Sequence, residues 1–457
     1  MEMACDSVKV IIGIPMSIMN EIPLIETEEL YDSIGNEATQ IVDVRPIESY
    51  NGWRLRDEER GGHIPGSRSM PLKWFDYIDL PDIVESKGLS PALTTVIYGY
   101  DIEDSEKAAK LLRRLGFDDV LIYEGFLDEW SQDPGGPLDK LARFDKAVPP
   151  VWLNEALQDD KVEGIGKGGI VLCHCHYRNP EDYNLGHIPG AIELDTNSLE
   201  STETWNRRSP AELESVLTAN GITTDTTVVV YGRFSDPRND DPFPGSSEGQ
   251  LGAMRCAFIM LYAGVKDVRV LNGGLQSWLD CGYELTTEPT VNQPVDDFGL
   301  TIPGRPDLAV DIEEAKLILK ATDKNLVCVR SWPELIGKVS GYNYIEKKGR
   351  IPGAVFGNCG SDAYHMENYR NLDHTGREYH EIERMWEEVG ITPDKHNSFY
   401  CGTGWRGSEA FFNAWLMGWP DISVFDGGWF EWSSDDSNPF ETGEPEGMRI
   451  IGRIYGL

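Results

Sequence analysis

Basic residues are scarce in this chain of 457 residues, where 41 Lys and Arg stand against 77 Asp and Glu. The formal net charge is −36, whereas a nucleic-acid-binding protein needs a basic face that neutralises phosphates. We therefore predict no nucleic-acid partner, and the same argument predicts no binding to anionic membranes. An anionic substrate would require a site that is locally positive.

Long apolar runs are also missing. The best stretch, Val8 to Met19, is interrupted by Pro15 and is shorter than the ~18 residues that a spanning helix needs. It has no basic segment before it and no small-residue cleavage site, so it is not typical of a signal peptide. We expect a soluble, cytoplasmic protein; a leader removed before residue 1 would leave no trace in this numbering.

Cysteine is sparse, with eight in the chain and none between residues 22 and 147. A secreted disulfide framework would be denser and more evenly shared, so we predict reduced and mostly buried thiols. The run from Cys173 to His176 alternates Cys and His. On a strand the two Cys face one side and the two His the other, so four ligands cannot converge on one ion. We predict no metal site and no cofactor.

Three short patterns recur in the same order three times, which indicates repeated domains. The first is a β-type run ending in Arg, the second a turn containing Ile-Pro-Gly, and the third a Gly-containing turn ending in Trp. They occupy residues 41–45, 62–67 and 124–130, then 171–178, 186–191 and 272–278, then 326–330, 349–354 and 426–432. Proline-rich linkers then suggest an extension at 1–21 and domains at 22–147, 148–296 and 304–450.

Each copy alternates short apolar runs with helical periodicity. The runs at 94–98, 227–231 and 398–400 are each followed by a loop, a helical stripe and a further apolar run. Strand, helix and strand in alternation predict parallel pairing with helices on both sheet faces. We therefore predict an α/β fold with three tandem domains, each built on a mostly parallel sheet. Residues 243–246 belong to a Pro- and Asp-rich insertion that we interpret as an exposed loop.

The repeated patterns resemble the rhodanese-homology family of sulfurtransferases and their inactive relatives, over about 430 residues. The third copy is similar to triple-domain bacterial thiosulfate sulfurtransferases at Arg330-Ser331-Trp332, at residues 400–406 and at residues 426–429. In that family the catalytic Cys follows the strand before the active-site loop. Gly99 and Gly232 occupy this position in the first two copies, and Cys401 occupies it in the third. Glycine carries no nucleophile, so we predict one catalytic domain.

The loop after Cys401 suits anion binding in its own right. It contains Gly402, Thr403, Gly404, Trp405 and Arg406, with a helix expected from about Gly407. The glycines let backbone N–H groups turn inward, and the helix N-terminus favours negative charge, so a thiolate or a persulfide would be stabilised. Arg406 offers a planar fork for an oxyanion, and Thr403 a hydroxyl. We interpret Trp405 as lining the pocket mouth.

The resemblance implies transfer of sulfane sulfur from thiosulfate through a Cys401 persulfide to cyanide, a thiol or a protein. Two alternatives stay open: 3-mercaptopyruvate as the donor, since Gly402-Thr403-Gly404 leans that way, or a persulfide relay loaded by a desulfurase. A Cys-dependent phosphatase is disfavoured because four residues, not five, separate Cys401 from Arg406. The partners predicted are a small anionic sulfur donor and a sulfur-acceptor protein.

Two further arginines are candidate substrate-binding residues in the third copy. Arg330 ends its first strand, where Cys328 replaces the usual acidic residue of the family pattern. Arg350 stands where the other two copies have His63 and His187. With Lys347 and Lys348 nearby it forms a basic cluster, for which binding of substrate oxygens and a solvated loop remain equal alternatives.

Overall fold

The computed structural model describes residues 22–158, 162, 164–234 and 248–445. The 1–21 extension, the 243–246 segment of the predicted loop and the end of the third predicted domain lie outside these residues. The chain forms two compact units. The smaller contains the described residues up to Pro46, Asp57–Arg60 and Ile64–Pro137, and the larger contains Ile47–Arg56, Gly61–His63 and the described residues from Leu138 onward.

The smaller unit is built on a four-stranded parallel sheet of order β2-β1-β3-β4. Its strands are β1 (Thr39–Asp43), β2 (Arg68–Ser69), β3 (Thr94–Tyr98) and β4 (Val120–Tyr123). Leu24 adds a single parallel bridge to Ile122 at the outer edge. Short runs of apolar and β-branched residues, bounded by polar turns, account for these strands.

The larger unit contains two five-stranded parallel sheets of the same plan. One has the order β5-β9-β8-β6-β7 and the other β10-β14-β13-β11-β12. Their strands are β5 (Ala147–Val148), β6 (Ile170–His176), β7 (Ile192–Asp195), β8 (Thr227–Gly232), β9 (Asp267–Leu271), β10 (Ala309–Val310), β11 (Lys324–Cys328), β12 (Val355–Phe356), β13 (His396–Tyr400) and β14 (Ile422–Phe425).

Fourteen α-helices lie in the described part of the chain. They are α1 (Thr27–Ser33), α2 (Ile47–Asn51), α3 (Leu80–Ser86), α4 (Ile102–Arg114), α5 (Pro150–Gln158), α6 (Glu181–Asn184), α7 (Pro210–Ala219), α8 (Glu248–Ala263), α9 (Gly274–Asp280), α10 (Ile312–Ile318), α11 (Trp332–Leu335), α12 (Tyr379–Glu387), α13 (Trp405–Leu416) and α14 (Gly428–Ser434). Among them, none combines the length and the apolarity that crossing a bilayer requires.

Alternate strand residues bury opposite sheet faces, as the period of two in a strand dictates. In the last sheet Phe399 packs with α12 and α13, whereas Tyr400 packs with α10 and α14. Helices α8 and α13 share one core, in which the rings of Phe258 and Phe411 meet edge to face with centroids 5.4 Å apart. The domains carrying β5–β9 and β10–β14 are therefore joined by a continuous hydrophobic core.

The predicted α/β class with three parallel sheets flanked by helices is confirmed. The run at 94–98 is a strand with those bounds, and the other predicted strands overlap the observed ones within two residues at each end. Of the seven cysteines in the described residues, all are free thiols, and Cys281 is the exposed one.

Candidate active site

Cys401 lies directly after β13, a central strand, and four residues before α13. The helix begins at Trp405, two residues earlier than the sequence suggested, because Gly404 adopts φ +91° and acts as the N-cap. This left-handed conformation is one that glycine reaches without a side-chain penalty. The early start places Arg406 in the first helical turn.

The backbone of the loop turns its carbonyl groups towards α14. The carbonyl of Cys401 accepts from Trp429 N–H at 2.8 Å, and that of Gly402 accepts from Phe430 N–H at 2.9 Å. In a trans peptide the N–H points opposite to the carbonyl, so the N–H groups of Gly402 and Thr403 face away from α14. This arrangement is what an anion-binding loop requires.

The Cys401 residue is fully buried, but it lies outside the hydrophobic clusters of the core. Two phenols are its electrostatic neighbours, Tyr342 and Tyr344. Gly402 lies so close to the Tyr342 ring that a Cβ there would be 2.1 Å from a ring carbon. Burial raises the pKa of both tyrosines, and Tyr344 is hydrogen-bonded to the Thr403 side chain. Both phenols are therefore neutral donors at ordinary pH.

Arg406 is fully buried and paired inside the protein. Its two terminal nitrogens donate to the two carboxylate oxygens of Glu334 at 2.9 and 2.8 Å. One of them also lies 3.1 Å from the Cys359 sulfur, and the other donates to the Tyr342 hydroxyl at 2.7 Å. Burial opposes the charged form of Glu334, yet Arg406 holds the pKa of this carboxyl below its ordinary value. The pair is ionised and its charges cancel.

Arg330 and Arg350 also make their hydrogen bonds to protein groups. Arg330 is fully buried, donates to the Gly349 carbonyl at 2.7 Å, and lies with its guanidinium carbon 4.9 Å from the Trp429 ring centroid. Arg350 forms an ion pair with Glu441 at 3.0 Å and donates to the Gly443 carbonyl. The structure thus places Cys401 beside Tyr342 and Tyr344, and Arg406 against Tyr342, while Arg350 pairs with the segment that follows α14.

Trp405 connects the loop to the neighbouring domain. Its indole N–H donates to the Glu200 carboxylate at 2.9 Å, and Arg255 donates to the same carboxylate at 2.9 Å. Arg255 also forms an ion pair with Asp426 at 2.6 Å, beside the loop. A Cβ on Gly404 would be 2.9 Å from an Arg255 nitrogen. The β5–β9 domain therefore holds the loop after Cys401 through buried polar and charged groups.

Five of these groups were missed by the sequence reasoning, namely Glu334, Tyr342, Tyr344, Glu200 and Arg255. One signal was available, since Ser331-Trp332-Pro333-Glu334 has the spacing of a capping box. In the structure both Ser331 N–H and its hydroxyl bond to Glu334, at 3.0 and 2.7 Å. Glu200 and Arg255 belong to a different copy, and no local pattern connects them to the loop.

The run from Cys173 to His176 lies on β6, and its side chains diverge. Both thiols lie in the core with α8, whereas His174 lies beside the Tyr231 ring, with centroids 4.8 Å apart. His176 bonds to the Glu193 carboxylate at 2.9 Å. The four side chains are thus distributed as strand alternation predicts.

Similarity to known proteins points to one family. The family model of the rhodanese-like domain matches residues 26–133, 150–281 and 311–435. The thiosulfate sulfurtransferase YnjE of Escherichia coli K12 is 40% identical over 418 residues, covering 90% of this chain and 91% of YnjE.

Solved structures are similar over nearly the same length. The wild-type structure of EanB is 53% identical with a TM-score of 0.90, covering 93% of this chain and 99% of that one. The anaerobic ergothioneine biosynthesis enzyme of Chlorobium limicola, bound to its natural substrate trimethyl histidine, is 53% identical with a TM-score of 0.90, covering 93% of this chain and 100% of that one. Further EanB structures carry substituted tyrosine, threonine or cysteine residues, or ergothioneine linked to a cysteine persulfide. With three rhodanese-like domains along its length, the chain belongs to the rhodanese-like sulfurtransferase family.

Proposed function

We propose that the chain transfers sulfane sulfur from a Cys401 persulfide to hercynine, the trimethylated form of histidine, and so forms ergothioneine. One observation carries this proposal. EanB has its persulfide cysteine 59 residues after a tyrosine, 42 and 73 residues after two other cysteines, and two residues before a threonine. In this chain Tyr342, Cys359, Cys328 and Thr403 have these same spacings from Cys401.

Aromatic rings beside the loop support a cationic acceptor. Trp205 stacks on Tyr344 with centroids 5.3 Å apart, and Tyr177 lies 5.8 Å from Trp205 and 5.4 Å from Trp405. Tyr342 continues this series at 5.4 Å from Tyr344. Aromatic faces attract quaternary ammonium groups, which keep their charge at every pH. The series therefore extends from beside Cys401 outward over a surface suited to a trimethylammonium group.

The charge of the site supports the same class of acceptor. The Arg406 guanidinium is balanced by Glu334, so it leaves little net positive charge for a dianion. Burial and the chain's net charge of −36 add to this difficulty. A zwitterion with a fixed cation meets a smaller electrostatic cost than thiosulfate does.

The chemistry balances without an oxidant. The outer sulfur of the Cys401 persulfide bonds to the imidazole carbon between the two ring nitrogens, and that carbon releases its proton to water. The S–S bond breaks, and its electron pair returns to the Cys401 sulfur as a thiolate. Tyr342 accepts a hydrogen bond from Arg406, so its own proton is directed to another acceptor. We assign it to a ring nitrogen of hercynine, which makes the ring carbon easier to deprotonate.

A thiosulfate sulfurtransferase is the second candidate, favoured by the 40% identity to YnjE. It would use the same Cys401 persulfide and the same loop. The two candidates differ in the acceptor, because cyanide needs no proton from Tyr342 and no aromatic surface. The acceptor that the protein uses therefore distinguishes the two candidate functions.

The test begins with the full-length protein treated with polysulfide and analysed by mass spectrometry. A mass gain of about 32 Da on Cys401 is expected. Addition of hercynine should remove this mass and release ergothioneine, detected by liquid chromatography with mass spectrometry. A parallel reaction receives thiosulfate and cyanide, with thiocyanate as the product. Thiocyanate formation without ergothioneine would replace the first candidate by the second.

Tyr342→Phe sharpens the assignment of the proton donor. It should load the persulfide normally and lose transfer to hercynine by about 10²-fold or more, while thiocyanate formation changes little. Tyr283→Phe is the matched control, since Tyr283 packs on Trp278 in the β5–β9 domain. Equal loss of both transfer reactions in Tyr342→Phe would contradict the role given to this phenol.

A further inference from the structure

A cluster of two imidazoles and a carboxylate lies in the larger unit. His63, Asp139 and His380 each present one possible ligand atom, and these atoms all lie within 4.8 Å of one another. His63 is fully buried, His380 is half-buried and Asp139 is exposed. The cluster is therefore anchored in the protein and open on one side.

Hydrogen bonds set the same tautomer in both histidines. Nδ1 of His63 lies 2.7 Å from the Tyr50 carbonyl, and Nδ1 of His380 lies 3.1 Å from a Glu383 carboxylate oxygen. A carbonyl and a carboxylate only accept hydrogen bonds, so each Nδ1 carries the proton and each Nε2 carries the lone pair. Metal-ligating histidines are oriented in this way by a carbonyl or carboxylate behind them.

The backbone fixes how far apart the groups lie. His63 and Asp139 exchange two backbone hydrogen bonds, each of 2.9 Å. The His63 ring stacks on Tyr50, with centroids 3.6 Å apart and planes within 5°. His380 lies in the first turn of α12, with its ring 5.7 Å from that of His63. The backbones of His63 and Asp139 and the ring of His63 are thus held in position before any ion arrives.

The other two copies use the same position differently. His187 stacks on Tyr183 as His63 does on Tyr50, but its ring nitrogens bond to the carbonyls of Tyr183 and Glu288 at 2.9 and 3.1 Å. In the third copy Arg350 pairs with Glu441. The turn therefore folds with two carbonyl partners or with an ion pair. Its fold alone does not explain why a carboxylate and a second imidazole meet at His63.

We propose that His63, Asp139 and His380 bind one divalent transition-metal ion through two Nε2 atoms and a carboxylate oxygen, with water completing the shell. Imidazole ligands favour zinc over magnesium or calcium. Zinc bonds of about 2.0–2.1 Å place tetrahedral ligand atoms about 3.3 Å apart. Without the ion the ligand atoms lie within 4.8 Å of one another. Rotation of the half-buried His380 and the exposed Asp139 side chains brings them to the shorter distance. The ion links the His63 turn and the Asp139 segment to the start of α12.

The test measures metal binding rather than sulfur transfer. Chelator-treated full-length protein is titrated with Zn²⁺ by calorimetry and with Co²⁺ by absorption spectroscopy. One site per chain is expected, and its Co²⁺ spectrum should lack the thiolate charge-transfer bands that cysteine ligands produce. Zn²⁺ should also raise Tm, because an ion that binds the folded chain stabilises it.

The variants use the accessible members of the cluster, so that the fold is retained. His380→Ala and Asp139→Asn should remove the site and the Tm increase, and Glu383→Gln should weaken binding by about 10–100-fold. His396→Ala is the control, since His396 forms a different His–carboxylate pair, with Asp421. Zinc binding that is equal in the parent, His380→Ala and Asp139→Asn proteins would overturn the proposal. So would a parent protein that binds no zinc.

Discussion

The β5–β9 domain and the β10–β14 domain differ at the end of the corresponding strand, which is β8 in the first and β13 in the second. In the β10–β14 domain β13 ends one residue before Cys401, and the Gly402–Gly404 loop leads into α13. In the other, a Cβ added to Gly232 would be 2.0 Å from the Gly249 carbonyl oxygen, and the Gln250 side chain accepts from the Gly232 N–H at 2.9 Å. The space for a nucleophile is filled by α8. The β5–β9 domain, called the silent domain below because it has glycine in place of the thiol, therefore also lacks room for a thiol at this position.

The silent domain nevertheless contributes to the surroundings of Cys401. Trp205 and Tyr177 extend the aromatic surface, and Glu200 and Arg255 hold Trp405 and the loop. The copy with glycine at this position thus forms a wall beside the Cys401 loop. Substitutions in either of the two domains can test this arrangement.

Replacing the nucleophile should have the largest effect. Cys401→Ser should lower kcat/KM for either acceptor by at least about a thousandfold, because no other copy can carry the persulfide. Cys281→Ser, at the exposed cysteine of the β5–β9 domain, should keep the activity of the parent. Steady-state rates and persulfide mass analysis measure both. More than a tenth of the activity remaining in Cys401→Ser would mean that another domain is catalytic.

Removing the buried cation of the loop should cost the most stability. Arg406→Ala leaves Glu334 charged and unpaired in the interior, which we expect to lower the free energy of unfolding by about 3–5 kcal/mol. Arg305→Ala is the matched control, because Arg305 pairs with Asp307 at 2.6 Å but is half-exposed. It should cost less than about 1 kcal/mol. Urea denaturation measures the two free energies of unfolding. Equal decreases in the two variants would show that the buried ion pair contributes no more to stability than the exposed one.

The sequence predicted the sheets well, for local reasons. Strands such as Thr94–Tyr98 are short apolar runs bounded by polar turns, and Gly99 and Gly232 can be identified once the copies are aligned. The partners of Arg406 could not be predicted, because Glu334 and Tyr342 come from far earlier in the chain. A guanidinium beside a thiol suggested an oxyanion site, whereas the structure pairs it with a carboxylate. Ion pairs between residues that are far apart in the chain leave no periodic pattern in the sequence.

Restoring a thiol to the silent domain should give no second site. Gly232→Cys in the Cys401→Ser background should remain inactive, and it should destabilise the protein by about 1–3 kcal/mol because the new side chain meets backbone atoms. Gly376→Ala is the control, since its added Cβ would meet only the Asn272 side-chain oxygen at 3.6 Å. Sulfur-transfer activity in the double variant would show that the missing thiol alone silences this copy.

The smallest expected effect concerns the contact through which the silent domain holds Trp405. Burial raises the pKa of Glu200 to about 7, although Arg255 opposes the shift. Between the ordinary carboxyl value and about pH 7, the folded protein keeps a proton that the unfolded chain has released, so this contribution to stability falls as pH rises. Glu200→Gln removes the titration. Its Tm relative to that of the parent should therefore increase between about pH 5 and pH 7.

Glu212→Gln tests whether this pH response belongs to the buried contact. Glu212 is exposed, and hydrogen bonds from Ser209 lower its pKa. Its titration therefore lies at lower pH than that of Glu200, and the Tm difference from the parent should change little between about pH 5 and pH 7. If Glu200→Gln followed the parent in parallel as Glu212→Gln does, Glu200 would be ionised throughout. The silent domain would then hold Trp405 by a hydrogen bond to a permanently ionised Glu200, which would be insensitive to pH in this range.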